Sequence, residues 1–298
     1  MNNDIRQICA ITAVVLFTLP AYLSAESVSV DMALTTPSPN NILQMEVEAI
    51  VGTPSSDDDS SELSGNALAD LQVNFDRFTC EVNDVTGLEF TGGAIGLAEV
   101  SFTIPFGVFG NIYVAGTGIS GTLDTPNAPG AVSGSAFDAS KHKLILNGGA
   151  LYGEGTGIVG GLFDPFTIDL TEDPINSSNQ GTGTILISLL SSDDLTATYQ
   201  TTITMPVSFT KQIFANPSVT IDLSGGGTLQ ADGQFTRCTL WADLTDDCRV
   251  DWYDLAEFSD QWLAYDESLP CPLTADLTAD DCYVDFFDFD ILAYEWQP

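Results

Sequence analysis

The chain has 298 residues, 42 of them acidic and 7 basic, so its formal net charge at pH 7 is −35. A charge of that sign and size repels nucleic acid and anionic membranes, and both are excluded as partners.

Residues 1–25 have the composition of a secretory signal. Arg6 lies in a short polar start, an uncharged run extends from Ile8 to Leu23, and Ser24 and Ala25 supply small residues for cleavage. The run is short of the ~20 residues that a membrane span requires. We expect cleavage after Ala25 and a secreted protein, extracellular or at the cell surface, without membrane attachment. An uncleaved anchor helix is the alternative.

Residues 26–237 are expected to form one mainly β domain. Apolar and polar residues alternate with period two in segments that begin at Met45, Leu71, Ile203 and Val219, and Gly-Gly pairs and prolines mark the turns. No helical stripe is present that could cross between parallel strands. The sequence therefore predicts a large antiparallel β-sandwich, with a barrel as the alternative.

The acidic segment Thr53 to Leu63 contains Asp57, Asp58 and Asp59 in a row. A run of like charges is typical of a solvated loop, which is the prediction here. A calcium site within the segment is the alternative.

Candidates for catalysis are few. The single histidine, His142, stands between two lysines at the start of a predicted strand, where an exposed edge position is expected, and no GxSxG or HExxH motif occurs. Glu154, in YGEGTG beside Tyr152, is the best single carboxylate for glycoside cleavage, with an exposed turn as the alternative. No catalytic residue is assigned.

Two further residue types bear on the function of residues 26–237, which we call the body. Its only tyrosines are Tyr113, Tyr152 and Tyr199, and it has no tryptophan, which weakens a carbohydrate-binding interpretation. Alternation puts Cys80 on one face with the apolar Phe78 and Val82, which indicates a buried, inert thiol. A disulfide from Cys80 to one of the cysteines after residue 237 is the alternative.

The tail, residues 238–298, repeats one segment: ADLTDDCRVDWYDLAEFSDQWL (Ala242 to Leu263) and ADLTADDCYVDFFDFDILAYEW (Ala275 to Trp296). Positions 1, 3, 5, 9 and 12 of a twelve-residue loop are those whose side-chain oxygens converge on one Ca²⁺. The first copy fills them with Asp243, Thr245, Asp247, Asp251 and Asp254. Arg249 at position 7 is expected to offer its backbone carbonyl and to point its side chain to water.

The second copy is one residue longer before its fifth position. Asp281, Asp285 and Asp288 take positions 5, 9 and 12, and Asp276 takes position 1 across the extra residue. Ca²⁺ is therefore predicted as the cofactor of the tail.

A helix is expected behind each loop, because apolar residues recur at i, i+3 and i+7: Leu255, Phe258 and Trp262, then Phe289, Leu292 and Trp296. With its tandem loops and Asp at position 12, the tail resembles a type I dockerin. This resemblance implies a small all-α, calcium-dependent module with a near two-fold repeat. It also implies docking onto a protein partner, a cohesin in the family.

The tail departs from the family at two places. Positions 10 and 11, where the family carries small hydroxylated residues, hold Trp252-Tyr253 and Phe286-Phe287. The partner is therefore expected to be cohesin-like or another protein. Position 6, normally a glycine with positive φ, holds Cys248 and Cys282, which are strained there unless something compensates.

Four cysteines flank the loops. Cys238 lies ten residues before Cys248 and Cys271 eleven before Cys282, which favours two disulfides, one within each copy. Pairing between the copies and a zinc site remain as alternatives.

Two functional hypotheses follow. In the first, the β domain is a binding or structural module, adhesive or directed at polysaccharide, in a secreted calcium-binding protein of dockerin type. In the alternative, it is an extracellular glycoside hydrolase or lyase that its dockerin carries into an assembly.

Overall fold

The computed structural model describes residues 26–34, 39–75, 81–193, 195–245, 247–266, 273–278 and 282–297. The predicted signal at 1–25, Cys80, Cys271 and Asp281 lie outside these ranges. Within them, no helix has the length and apolar character needed to cross a bilayer.

Residues 26–238 are built almost entirely of β-strands, with two α-helices following them. The strands are β1 (Glu26–Leu34), β2 (Ile42–Val51), β3 (Thr53–Phe75), β4 (Val82–Leu97), β5 (Val100–Pro105), β6 (Asn111–Asp124), β7 (Gly130–Ser133), β8 (Ala136–Asp138), β9 (Lys143–Gly155), β10 (Phe166–Asp169), β11 (Ile175–Asn176), β12 (Thr182–Ser192), β13 (Thr196–Ala215) and β14 (Thr220–Cys238). The helices are α1 (Trp252–Asp260) and α2 (Phe286–Tyr294). Short 3-10 helices span Pro39–Asn41, Gly107–Phe109, Ala139–Lys141 and Val159–Gly161.

Hydrogen bonds join the strands into one 14-stranded antiparallel sheet. Both β1 and β2 lie between β3 and β14, and the pairing continues from β14 through β13, β12, β8, β7 and β4 back to β3. The mainly β, antiparallel prediction is confirmed. The circuit of pairings is closed, as it is in a barrel and also in a sandwich whose long strands pass from one sheet to the other.

Alternation along the strands sets which face is buried. In β2, Leu43, Met45 and Val47 are buried while Gln44 and Glu46 between them are exposed. Burying each such side chain contributes about 1.5–3 kcal/mol, which is why the period-two pattern fixes the register.

The acidic segment Thr53 to Leu63 is not a loop. Its residues form the first part of β3 and pair with β2. Asp57 accepts a hydrogen bond from the backbone N–H of Thr103 at 2.7 Å, and Asp59 accepts one from Ser101 at 2.9 Å. The carboxylates thus satisfy amides of β5 that have no ladder partner on this side, which is why an acidic run is tolerated in a strand.

His142 is not exposed. It is 1% exposed, its ring lies edge-on to Phe90 and Phe137, and its Nδ1 is 2.8 Å from the hydroxyl of Thr125. Burial lowers the pKa of His142 to about 4, so the ring is neutral at pH 7. The flanking lysines suggested a surface position, but His142 lies between the 3-10 helix Ala139–Lys141 and β9, where its extended backbone turns the side chain inward.

The body and the tail have separate apolar cores. The larger cluster draws only on residues between Val28 and Phe235, and the smaller one only on residues between Leu240 and Trp296. At the junction, the Arg237 guanidinium pairs with Glu26 at 2.7 Å and lies over the ring of Phe75. This contact fixes the end of β14 immediately before the tail begins.

Candidate metal centre

Each copy of the repeat folds as a loop that leads into a helix. Asp251 caps α1 by accepting from the backbone N–H of Tyr253, and the carboxylate of Asp254 reaches back to the N–H of Asp251. Asp285 and Asp288 form the same reciprocal capping box at the start of α2. Two carboxylates of each loop are therefore held by the helix that follows it.

The sixth position of both loops has a positive φ, as expected from the sequence. Cys248 has φ of 62° and Cys282 has φ of 52°. Such a conformation is unfavourable for a residue with a Cβ, so the surrounding structure must stabilise it.

A disulfide joins Cys238 to Cys248, with 5.1 Å between their Cα atoms. Because both sulfurs are committed to this bond, they are not available as thiolate ligands, and a zinc site on this pair is excluded. Cys282 is also disulfide-bonded, and Cys271, its expected partner, lies outside the described residues.

The first loop brings three carboxylates together. One oxygen from each of Asp243, Asp247 and Asp254 lies within 4.8 Å of the others. The hydroxyl of Thr245 donates to Asp254 Oδ1 at 3.1 Å and so lies beside the same cluster. Four of the predicted ligand residues are thus adjacent in space.

Backbone amides hold this cluster in place. Asp254 is fully buried, and its Oδ1 accepts from the N–H groups of Leu244 and Thr245 at 2.8 and 3.0 Å. Asp243 accepts from the N–H groups of Asp247 and Cys248 at 3.1 and 2.7 Å. The loop is therefore wrapped around its own carboxylates.

The electrostatics of the cluster favour a cation. Burial raises the pKa of Asp243, and the nearby charges of Asp254 and Asp247 raise it further. Carboxylates this close repel one another when ionised, and a bound divalent ion would remove that repulsion.

The other two predicted ligand residues of the first loop, Asp251 and Arg249, are not among these four. The carboxylate of Asp251 caps α1 and is not one of the three that converge. The side chain of Arg249 is exposed, as predicted, and its backbone N–H donates to Asp247 Oδ1 at 3.0 Å.

The second loop repeats part of this arrangement. Thr278 connects the buried Asp276 and Asp288, because its hydroxyl donates to Asp276 Oδ1 at 3.3 Å and its N–H donates to Asp288 Oδ1 at 2.9 Å. Thr278 is therefore the counterpart of Thr245. Asp285 caps α2, as Asp251 caps α1.

The two copies are tied to each other by equivalent hydrogen bonds that the sequence analysis missed. Glu295, at the end of α2, accepts from the N–H of Ala242 at 2.9 Å, and Gln261, at the end of α1, accepts from the N–H of Ala275 at 3.2 Å. Each helix end thus holds the first residue of the other copy. The repeat could have identified these two residues, since Gln261 and Glu295 occupy the same place in it.

A second pair of bonds has the same symmetry. The carbonyl of Val250 accepts from the N–H of Gln297 at 2.8 Å, and that of Val284 accepts from the N–H of Leu263 at 2.9 Å. Both valines are fully buried in the tail core, together with Phe258 and Leu292. Neither copy could bury its apolar stripe alone, so the two fold as one unit.

Aromatic residues at loop position 10 cross over to the other copy. Trp252 contacts the edge of Trp296 at 5.1 Å between ring centroids, and Phe286 contacts Trp262 at 5.1 Å. Trp252, Tyr253, Phe286 and Phe287 nevertheless remain 71–75% exposed. Among the described residues, the ring contacts of Trp252 and Phe286 lie within the tail, and the four rings form an open aromatic surface at each end of the helix pair.

Glu154, the carboxylate singled out for glycoside cleavage, lies in a strand and not in a turn. It is near the end of β9, opposite Tyr113 of β6, and accepts from the hydroxyl of Tyr152 at 2.8 Å.

No protein-family model matches the chain, and no curated protein matches it. A solved structure with some likeness is that of DynF from the dynemicin biosynthesis pathway of Micromonospora chersina. The match covers 72% of this chain and 87% of DynF, at 11% sequence identity and a TM-score of 0.18. A score this low carries no argument about fold or function.

Proposed function

We propose that the chain is an exported protein whose tail is a calcium-binding, dockerin-like docking module and whose β body serves binding or structure. The observation that carries the proposal is the convergence of Asp243, Asp247 and Asp254 within a duplicated loop-helix unit.

Calcium suits this donor set better than other ions. The ligands are carboxylate and hydroxyl oxygens, which favour hard cations, and a loop with donors at positions 1, 3, 5, 7, 9 and 12 supplies the six to eight oxygens that Ca²⁺ takes. Position 9 commonly acts through a water molecule, which is compatible with the capping role of Asp251.

Charge supports the same ion. The tail from Cys238 onward holds sixteen acidic residues and one basic residue, Arg249. A bound divalent cation offsets part of their repulsion and couples binding to folding.

The exposed aromatic pairs supply the docking surface in this proposal. Rings that are clustered, exposed and backed by a rigid helix pair are typical anchors of protein interfaces. Because they replace small hydroxylated residues, the partner is a cohesin-like or other protein with apolar pockets.

The proposal is tested by calorimetric titration of calcium into the chain after treatment with chelator. We expect saturable binding that Asp254→Asn weakens at least about tenfold, since Asp254 is at the centre of the cluster. The matched control is Asp260→Asn, an exposed aspartate on the same helix, which should bind as the parent does. Absence of binding in the parent, or equal losses in both variants, would contradict the proposal.

A further inference from the structure

The body exposes two tyrosines on one face of four neighbouring strands. Tyr113 of β6 lies directly opposite Thr103 of β5 and Glu154 of β9, and Tyr152 of β9 lies opposite Thr167 of β10. Residues directly opposite in a ladder point to the same face of the sheet. We call this surface, made of Thr103, Tyr113, Tyr152, Glu154 and Thr167, the tyrosine face.

Hydrogen bonds lay both rings along the sheet. The hydroxyl of Tyr152 donates to Glu154 Oε2 at 2.8 Å, and the hydroxyl of Tyr113 accepts from Asn111 Nδ2 at 3.2 Å. Each partner is two residues away on the same strand, so each ring runs parallel to its strand instead of standing out from it. Since β6 and β9 are antiparallel, both rings point toward the same end of the sheet.

Both rings are partly exposed. Tyr113 is 36% and Tyr152 is 40% exposed, whereas Tyr199, the third tyrosine of the body, is fully buried against Phe75 and Phe235. Two rings at diagonal positions on adjacent strands are ~7–8 Å apart at their backbones. They form a staggered pair that suits an extended ligand with repeated flat units better than one small molecule.

The charge of the tyrosine face limits the classes of ligand that it can bind. Glu154 is the one charged residue among these five, and the exposed Asp169, opposite Ala150, lies at the edge of the same face in a chain whose net charge is −35. An anionic ligand would be repelled by the molecule as a whole, and a cationic one would find stronger attraction elsewhere on it. A neutral ligand meets neither obstacle here.

Sugar rings in a neutral glycan match these features. Their C–H faces are attracted to the electron-rich faces of aromatic rings, and their hydroxyls can bond to threonine, asparagine and carboxylate groups at the rim.

We propose that the tyrosine face binds a neutral, extended polysaccharide chain, with Tyr113 and Tyr152 each stacking on a sugar ring and Glu154 accepting hydroxyl hydrogen bonds. This goes beyond the docking function of the tail, since it assigns a ligand class to the body.

Affinity electrophoresis of the full chain in gels containing a soluble β-glucan, a galactomannan or the anionic polymer alginate tests the proposal. At least one neutral polymer should retard the chain and alginate should not. Tyr113→Ala and Tyr152→Ala should each weaken retardation about tenfold and their combination should abolish it, because each removes one stacking surface.

The matched control is Tyr294→Ala, which removes an exposed tyrosine at the end of α2 in the tail. It should leave retardation unchanged, and unaltered β-sheet circular dichroism should show that the body variants fold. Free migration of the parent in both neutral gels, or an equal loss with Tyr294→Ala, would overturn the proposal. Calcium binding by the tail is measured separately, so either proposal can fail without the other.

Discussion

His142 is the residue whose ionisation is most constrained by the fold. The hydroxyl of Thr125 accepts from the N–H of Phe90 and lies 2.8 Å from Nδ1 of the histidine, and Nε2 is buried without a partner among the described residues. A proton added to the ring would create a charge enclosed by Phe90 and Phe137. The negative charge of Asp138 opposes this effect but is outweighed by burial.

We predict that the body loses stability when the pH falls below neutrality. The unfolded histidine takes up a proton near pH 6.5, but the folded one does so only near pH 4, so the unfolded state binds more protons between these values. The free energy of unfolding should therefore fall by about 2 kcal/mol between pH 7 and pH 5, and by up to ~3 kcal/mol below pH 4. Urea titrations followed by β-sheet circular dichroism measure it.

The control is His142→Gln, which keeps a hydrogen-bonding group near Thr125 but does not titrate. Its stability should be lower at pH 7 and nearly constant down to pH 5. Since the chain has one histidine, equal losses in the parent and the variant would show that other groups govern this window.

At the scale of elements, two neighbouring carboxylates at the acidic start of β3 have different roles. Asp57 satisfies an amide of β5, whereas Asp58 is exposed and lies directly opposite Glu46 of β2. Asp57→Ala should lower the stability of the body by about 1–2 kcal/mol, because it leaves the Thr103 amide without its acceptor. The urea midpoint of the β-sheet signal reports the change.

The neighbouring variant Asp58→Ala is the matched comparison. It removes a like-charge pair across the ladder, so stability should stay within about 0.5 kcal/mol or rise. If both substitutions have the same effect, the hydrogen bond of Asp57 is not what stabilises β5.

The loop turn at Cys248 gives a second prediction for an element. With Cys238→Ser removing the disulfide, Cys248→Gly should be more stable than Cys248→Ala by roughly 0.5–1 kcal/mol, since φ of 62° is easy for glycine and strained for alanine. Tryptophan-monitored unfolding of the two double variants compares them. An alanine variant as stable as the glycine variant would mean that the turn relaxes once the disulfide is gone.

These elements show what the sequence could and could not predict. Alternation identified the strands at Met45 and Ile203, and the repeat identified the loops and helices of the tail, because both patterns are local. The predictions of a loop at Thr53 to Leu63 and of an exposed His142 were wrong, since each structure depends on partners outside its own segment, β5 and Thr125. The clustering of Asp243, Asp247 and Asp254 follows from loop spacing, but the bonds of Gln261 and Glu295 between the copies required the fold.

At the scale of the whole molecule, the two separate cores lead us to expect two units that unfold independently. All 4 tryptophans lie in the tail, at positions 241, 252, 262 and 296, and the body contains the entire sheet. Tryptophan fluorescence therefore reports the tail, and β-sheet circular dichroism reports the body. A ligand that binds only folded tail should stabilise the tail alone by mass action.

The most direct test of the account is urea unfolding of the full chain, followed by both signals, in calcium and in chelator. We predict that calcium at a hundred times its dissociation constant stabilises the tryptophan transition by about 2.7 kcal/mol and leaves the β-sheet transition unchanged. A tryptophan transition at the same urea concentration in calcium and in chelator would contradict it.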